Sequence, residues 1–542
     1  MSSLPSRSLF DLRASLPSIP RADRNRNLQL SYFLHQPLDR VNVLGKDDGT
    51  YGHAGCVNAL SWSHNGEILL TGGDDTTVRL WRMDSSDTEQ EYPFVCRSVF
   101  HTGHTGNIFN AQLLPYSTHL ITVAADKQIR VSDITMALNN GVQDSLETQY
   151  TIKQSVKKIL RCHSNRVKRI VTEDSPALFL TVSEDGTVRQ HDLRTAHNCR
   201  QNGCPMSLLK LNHDLSTVSL STLTPYQFVV AGEAPYGYLF DRRNVGRRIE
   251  EEWGVPSSTE EVTTCVRRFG RPPRVEKKKR FPRDHITGSR MSNYNGHEIL
   301  LSYSGDATYL FSALDSPTES EPSSTFASSS GTPEQKRLKL SQSRDEDLLQ
   351  PNLDVYLDTG NPDTLESDAI AELEIDVDEE SEGSKEDEIE EEEALELETN
   401  YHPGVPTIMP RQRFPGARNV ETVKDVNFLG PKDELVVSGS DDGNFFVWDK
   451  STTQLNGIYE GDGSIVNVIE GHPSLPLIAV SGIDTTVKLF APARGASRFS
   501  RLEYADQILE TNSRPVPTFD LRMLLAEAML RSGSSSNECI NQ

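Results

Sequence analysis

Two stretches near the end of the chain share one pattern of apolar and polar positions. Val436 to Asp449 reads V-V-S-G-S-D-D-G-N-F-F-V-W-D, and Ile478 to Phe490 reads I-A-V-S-G-I-D-T-T-V-K-L-F. Each predicts an apolar strand, a small-residue turn that holds an aspartate, and an alternating strand closed by an aromatic side chain. Asp442 and Asp484 lie 42 positions apart. A repeat of about 40–45 residues that ends on Trp-Asp is what one blade of a β-propeller needs.

The template recurs upstream. Gly52-His53 precedes a strand at Val57–Trp62 and the run I-L-L-T-G-G-D-D-T-T-V-R-L-W at Ile68–Trp81. Gly103-His104 and Cys162-His163 open a second and a third unit, whose closing strands end at Asp133 and Asp192. A fourth unit, without the turn aspartate, ends at Asp241, and a fifth spans Val262–Val266 and Ile299–Phe311. Units six and seven start at Val423 and Ile465. The turn aspartate appears as Asp75, Asp126, Asp185, Asp306, Asp442 and Asp484. The pattern predicts an all-β fold: a seven-bladed WD40 β-propeller with a long disordered acidic insertion and a helical C-terminal tail.

The expected boundaries are an N-terminal arm at 1–38, blades 1–5 at 39–313, the insertion at 314–412, blades 6–7 at 413–496 and the tail at 497–542. In the arm, Leu4, Leu9, Phe10, Leu12 and Leu16 could line a short helix confined by Pro5, Pro17 and Pro20. Asp39–Gly45 has strand character. Placed outermost in the last blade, it would remove the free edge of the ring. The insertion is rich in Ser, Pro, Thr and Glu and almost free of aromatics, so it cannot bury enough apolar surface to offset its ordering entropy. Ala505–Asn512 and Phe519–Arg531 read as helices, the latter with Phe519, Met523, Leu524 and Leu530 at near-helical spacing.

Charge supports this division. The window Glu366–Glu398 holds 18 acidic residues against one lysine, which accounts for 17 of the 23 net negative charges of the 542-residue chain. The acidity is therefore a local run, the kind that is solvated and available to basic partners. The seven cysteines, at 56, 96, 162, 199, 204, 265 and 539, form no C-x-x-C pair. Cys199 and Cys204 lie near His191 and His197, but the spacing matches no common zinc pattern, so neither metal nor cofactor is expected. The odd cysteine count and the lack of a signal peptide favour a reducing, intracellular compartment. No run approaches the ~18 apolar residues of a membrane span.

His53, Thr71, Asp75 and Trp81 could suggest hydrolase chemistry. Within a repeat they read instead as a structural hydrogen-bond set, because a buried His and Asp need partners. No G-x-S-x-G, H-E-x-x-H or G-x-x-x-x-G-K-[ST] occurs, so no enzyme is expected. The run Lys277, Lys278, Lys279 and Arg280 is a nuclear-import candidate, which places the protein in nucleus and cytoplasm. His191-Asp192-Leu193-Arg194 and Phe240-Asp241-Arg242-Arg243 share one form, aromatic-Asp-x-Arg, at the same point of consecutive repeats. One copy would be a local Asp–Arg pair. Two adjacent copies suggest docking, since an arginine on a rim can make paired hydrogen bonds to partner oxygens.

The chain resembles the WD-repeat cullin-4-associated factors, substrate receptors of cullin-4 RING ubiquitin ligases, and among them the factor 8, 6 and 5 relatives. The resemblance rests on G-H-A-G-C-V-N-A-L at Gly52–Leu60, F-L-G-P-K-D-E-L-V-V-S-G-S-D-D-G at Phe428–Gly443, and H-P-S-L-P-L-I-A-V-S-G-I-D at His472–Asp484, followed by V-K-L-F-A-P. It reaches neither residues 1–38 nor most of 314–412. It implies a receptor that docks on the adaptor damage-specific DNA-binding protein 1 and presents an unidentified protein substrate. The docking box would fall on His191, Asp192 and Arg194, and on Phe240, Asp241 and Arg243. His191 departs from the usual Trp, Tyr or Phe. Transfer chemistry would belong to other subunits. The competing expectation is a chromatin or transcription scaffold that holds histones or other basic proteins through the acidic segment.

Overall fold

The computed structural model describes residues 20–46, 51–84, 86–88, 90–139, 147–199, 204, 206–244, 265–272, 285–317, 402 and 405–514, all in one compact unit. The nuclear-import candidate Lys277–Arg280, most of the acidic insertion and Phe519–Arg531 lie outside them.

Seven sheets follow one another around the ring, so the fold is the expected seven-bladed propeller. Blade 1 shows the plan. Strands Val57–Trp62, Ile68–Gly73, Thr77–Met83 and Phe94–His101 run antiparallel from the inside outwards. The middle strands are buried on both faces because each sheet is covered by its two neighbours. Apolar side chains accordingly gather in seven layers, one between each pair of adjacent blades.

The turn between the second and third strands explains the repeated aspartate. Its carboxylate accepts the backbone N–H two residues on: Thr77 to Asp75 at 3.0 Å, Gln128 to Asp126 at 3.1 Å, Thr187 to Asp185 at 3.0 Å, Asn444 to Asp442 at 3.1 Å. In these four turns the intervening residue takes positive φ, and blades 3 and 6 place glycine there, Gly186 at 73° and Gly443 at 80°. Thr76 and Lys127 hold the same conformation with a side chain, against its intrinsic cost.

The ring closes as the N-terminal strand predicts. Leu38–Leu44 pairs antiparallel with Val487–Pro492, from Leu38 opposite Pro492 to Leu44 opposite Val487. The Tyr459 hydroxyl, from blade 6, accepts the Leu38 N–H at 3.1 Å.

Two boundaries differ from expectation. Cys265–Phe269 is the outer strand of blade 4, and blade 5 begins at Ile286–Met291, so the basic run Lys277–Arg280 falls in the sequence between blades 4 and 5. The outer strand of blade 5 is Gln412–Phe414, paired with Thr308–Ser312. The acidic insertion therefore interrupts blade 5 between its third and fourth strands and does not separate blades 5 and 6. Both errors share a cause: outer strands of two to five residues carry too little alternation to be assigned by pattern. The short helix expected over Leu4–Leu16 lies outside the described residues; within them, a helix at Pro20–Leu34 precedes the ring. Pro20 opens it, as proline suits a first helical turn. Leu30 and Leu34, one turn apart, enter the apolar layer between blades 6 and 7.

The helix Ala505–Ser513 bears out the first tail expectation and packs Ala505, Ile508 and Leu509 against the layer between blades 5 and 6. Gly416, at φ 111°, lets it approach; a Cβ there would come within 2.3 Å of the Leu509 side chain.

Candidate functional site

The set His53, Thr71, Asp75 and Trp81 is a continuous chain inside blade 1. The two ring nitrogens of His53 meet Asp75 at 3.0 Å and Thr71 at 2.7 Å, and Trp81 donates to the Thr71 hydroxyl at 2.9 Å. Blade 2 repeats the His104 contacts with Asp126 and Thr122. Blade 3 repeats the full chain through His163, Asp185 and Thr181. There His191 takes the place of tryptophan, its Nε2 meeting the Thr181 hydroxyl at 2.9 Å while its ring stacks on Phe179. Burial would raise the Asp75 and Asp185 carboxyls. Hydrogen bonds and charge from their histidines, with backbone and threonine donors, overcome it and hold both far below the usual range. These groups are spent on one another inside the fold.

Blades 5 and 7 solve the same problem with cations, and in blade 6 Asp442 accepts the Asn512 side-chain amide at 2.9 Å. Asp306 meets Arg271 at 3.1 Å and Arg413 at 3.0 Å, and Asp484 is bound by Lys488. The blade motif degrades there because the partner changed, not because the aspartate lost its role.

The two aromatic-Asp-x-Arg copies occupy the turns that leave the third strands, Thr187–Asp192 in blade 3 and Gly237–Asp241 in blade 4. Their aromatic positions are anchors: His191 and Phe240 are both buried, and Phe240 lies against Phe228. The next residue turns outward and clasps. Asp192 accepts the Arg194 backbone N–H at 2.9 Å and its Nε and Nη2 at 2.9 and 2.8 Å. Asp241 does the same to Arg243 at 2.9, 2.9 and 2.5 Å. The arginine side chains remain 69% and 63% exposed, and Arg243 also lies over the Tyr226 ring at 3.8 Å. Charge-assisted bonds from each arginine hold its aspartate below the usual carboxylate range. With Nε and Nη2 engaged, neither Nη1 makes a hydrogen bond among the described residues.

Other blades provide an internal control. Asp133 in blade 2 and Asp449 in blade 6 make the same turn, but they clasp Thr135 and Ser451. The turn aspartate is thus a general device, and among the described residues it holds the arginine two positions on only in blades 3 and 4; Asp84, where blade 1 leaves its third strand, clasps Ser86 and takes Arg97 from the outer strand. Sequence spacing found both copies. It missed Arg242, which the motif treats as a free position. Arg242 reaches back to Glu173 and Gln190 of blade 3 and so fixes one clasp relative to the other.

The central channel is crossed by two ion pairs, Arg169 of blade 3 with Asp425 of blade 6 and Arg290 of blade 5 with Glu470 of blade 7. Among the described residues, one group of donors could hold a metal: Cys162, His197, Cys199 and Cys204.

A family model, "WD domain, G-beta repeat", matches residues 45–82 and 410–449, so the chain carries WD40 repeats. It is 36% identical over 266 residues to "WD repeat protein iqw1" of Schizosaccharomyces pombe, a stretch covering 48% of this chain and 31% of that protein. It is 24% identical over 618 aligned positions to "WD and tetratricopeptide repeats protein 1" of Homo sapiens, covering 85% of this chain and 86% of that one. It is 28% identical over 266 residues to "DDB1- and CUL4-associated factor 6" of Homo sapiens, covering 48% and 27%. The chain spans about a third of the length of the first and last of these relatives.

Proposed function

We propose that this WD40 protein-interaction scaffold is a substrate receptor of a cullin-4 RING ubiquitin ligase and docks on damage-specific DNA-binding protein 1 through Arg194 and Arg243. The observation that carries the proposal is the pairing of the two clasps. Among the described residues, the aspartate turns of blades 2, 3, 4 and 6 are alike, yet an arginine two positions on fills them only in the neighbouring blades 3 and 4, where Arg242 sets their spacing. A guanidinium already oriented by its own aspartate loses little freedom on binding and keeps donors for a partner's carbonyl or carboxylate oxygens. A relative whose name states association with DDB1 and CUL4 supports the reading. No step of the transfer chemistry is assigned to this chain, whose His–Asp–Thr sets are committed to the blades. It acts in nucleus and cytoplasm, and its substrate is a protein.

Co-purification of the adaptor and cullin-4 with the tagged full-length chain tests the proposal. Recovery should fall steeply for Arg194→Glu/Arg243→Glu and persist for Thr135→Glu in the equivalent turn of blade 2. Equal recovery from all three would remove the clasps from docking.

A further inference from the structure

Blade 3 departs from its neighbours in two ways that converge. Its outer strand is reduced to Leu209–Lys210, paired only with Thr187 and Val188. This is shorter than the outer ladders of blades 1, 4 and 6. In addition, the residue before the blade histidine is glycine in blades 1 and 2 and cysteine, Cys162, in blade 3. The fold brings these two oddities together. Cys162, in the link from blade 2, meets His197, Cys199 and Cys204 of the outer segment, with all four donor atoms within 4.8 Å of one another.

We propose that Cys162, His197, Cys199 and Cys204 form a Cys₃His site for a structural zinc ion that staples the outer segment of blade 3 to the link between blades 2 and 3.

The geometry fits this ion. Zn–S bonds of about 2.3 Å in a tetrahedron place two sulfurs about 3.8 Å apart, and a sulfur and an imidazole nitrogen about 3.5 Å apart. The Cys162 and Cys199 sulfurs are 3.8 Å apart, and His197 Nε2 lies 3.3 and 3.1 Å from them. A sulfur separation of 3.8 Å is also far outside a disulfide bond. Three soft thiolates and one imidazole select zinc over magnesium or calcium.

The surroundings suit a zinc thiolate centre. The Arg161 backbone N–H donates to Cys199 Sγ at 3.2 Å, the type of outer contact that orients a ligand. Cys162 and Cys199 rest against the apolar layer between blades 2 and 3. Binding releases the three thiol protons to solvent, so Zn²⁺ with three thiolates and a neutral imidazole carries one net negative charge, which Lys158 and Arg189 offset.

Linear spacing gave no zinc pattern because one ligand lies 37 residues upstream of the next cysteine. His191, the neighbour that the sequence suggested, is not among the converging donors: its Nε2 bonds Thr181, and its ring stacks beside His197 at 6.5 Å.

The test uses the full-length chain, purified under reducing conditions without chelator, and does not depend on adaptor binding. Elemental analysis should find about one zinc per chain. Cobalt exchanged into the protein should give tetrahedral d–d bands and a thiolate-to-cobalt charge-transfer band. Cys199→Ser should lose the metal, Cys265→Ser should keep it, and His197→Cys should retain cobalt with a shifted spectrum. If Cys199→Ser fails to fold, cobalt spectra of the wild-type and His197→Cys chains decide. Metal-free protein that takes up no cobalt, cobalt spectra indifferent to His197→Cys, or a Cys162–Cys199 disulfide in the isolated chain would each overturn the proposal.

Discussion

Arg242 of blade 4 holds both carboxylate oxygens of Glu173 in blade 3, at 2.5 and 3.1 Å. The two side chains are only 14% and 10% exposed. Arg242 lies between Asp241 and Arg243, so this bond ties one clasp to the blade that carries the other. Removing one partner leaves the other charge largely buried and unpaired. Arg242→Ala should cost about 1–3 kcal/mol of stability, measured by denaturant unfolding. A double-mutant cycle with Glu173→Gln should show coupling, whereas additive losses would mean that the pair does not join the blades.

The blade hydrogen-bond chains make stability depend on acid. Asp75, Asp126 and Asp185 are held below the ordinary carboxylate value in the folded protein. A depressed folded value stabilises above the unfolded value of about 4, and that stability is lost as pH falls further. The wild-type melting temperature should therefore drop steeply below about pH 4. Asp75→Asn should be less stable at pH 7, and its deficit should shrink on acidification. A deficit constant with pH would show that the ionised carboxylate is not what the blade uses.

Closure predicts a sharp response to truncation. The strand Leu38–Leu44 covers the edge of the last blade, and Leu30 and Leu34 cover part of the layer beside it. Deleting residues 1–45 exposes an unpaired strand edge and apolar surface. The shortened chain should melt well below the full one and aggregate, as read by thermal scanning with light scattering. Equal melting would mean that the ring closes without this strand.

How much of this the sequence displays depends on strand length and on where partners come from. The second and third strands, such as Leu435–Gly439 and Asn444–Asp449, are buried on both faces and bounded by a fixed turn, so their pattern survives in one dimension. Outer strands such as Gln412–Phe414 and Leu209–Lys210 are too short to show a period, which is why the acidic segment seemed to separate two blades. Among the described side chains of the helix Pro20–Leu34, only Leu30 and Leu34 reach the core, too few for an amphipathic stripe. At the candidate site, the clasps were legible because aspartate and arginine sit two residues apart. Arg242 with Glu173, and Cys162 with Cys199, were not, because their partners arrive from 69 and 37 residues away.

The central claim is tested most directly by the affinity of the purified full-length chain for purified damage-specific DNA-binding protein 1, measured by calorimetry. Arg194→Ala/Arg243→Ala removes two largely exposed side chains, so the chain should stay folded, with a melting temperature lowered only by the loss of the two clasps. Its adaptor affinity should fall at least about tenfold, the loss of roughly 1.4 kcal/mol or more that a pair of interfacial arginines supplies. Binding of the double variant as tight as that of the wild type, or no measurable binding by the wild type itself, would contradict the account.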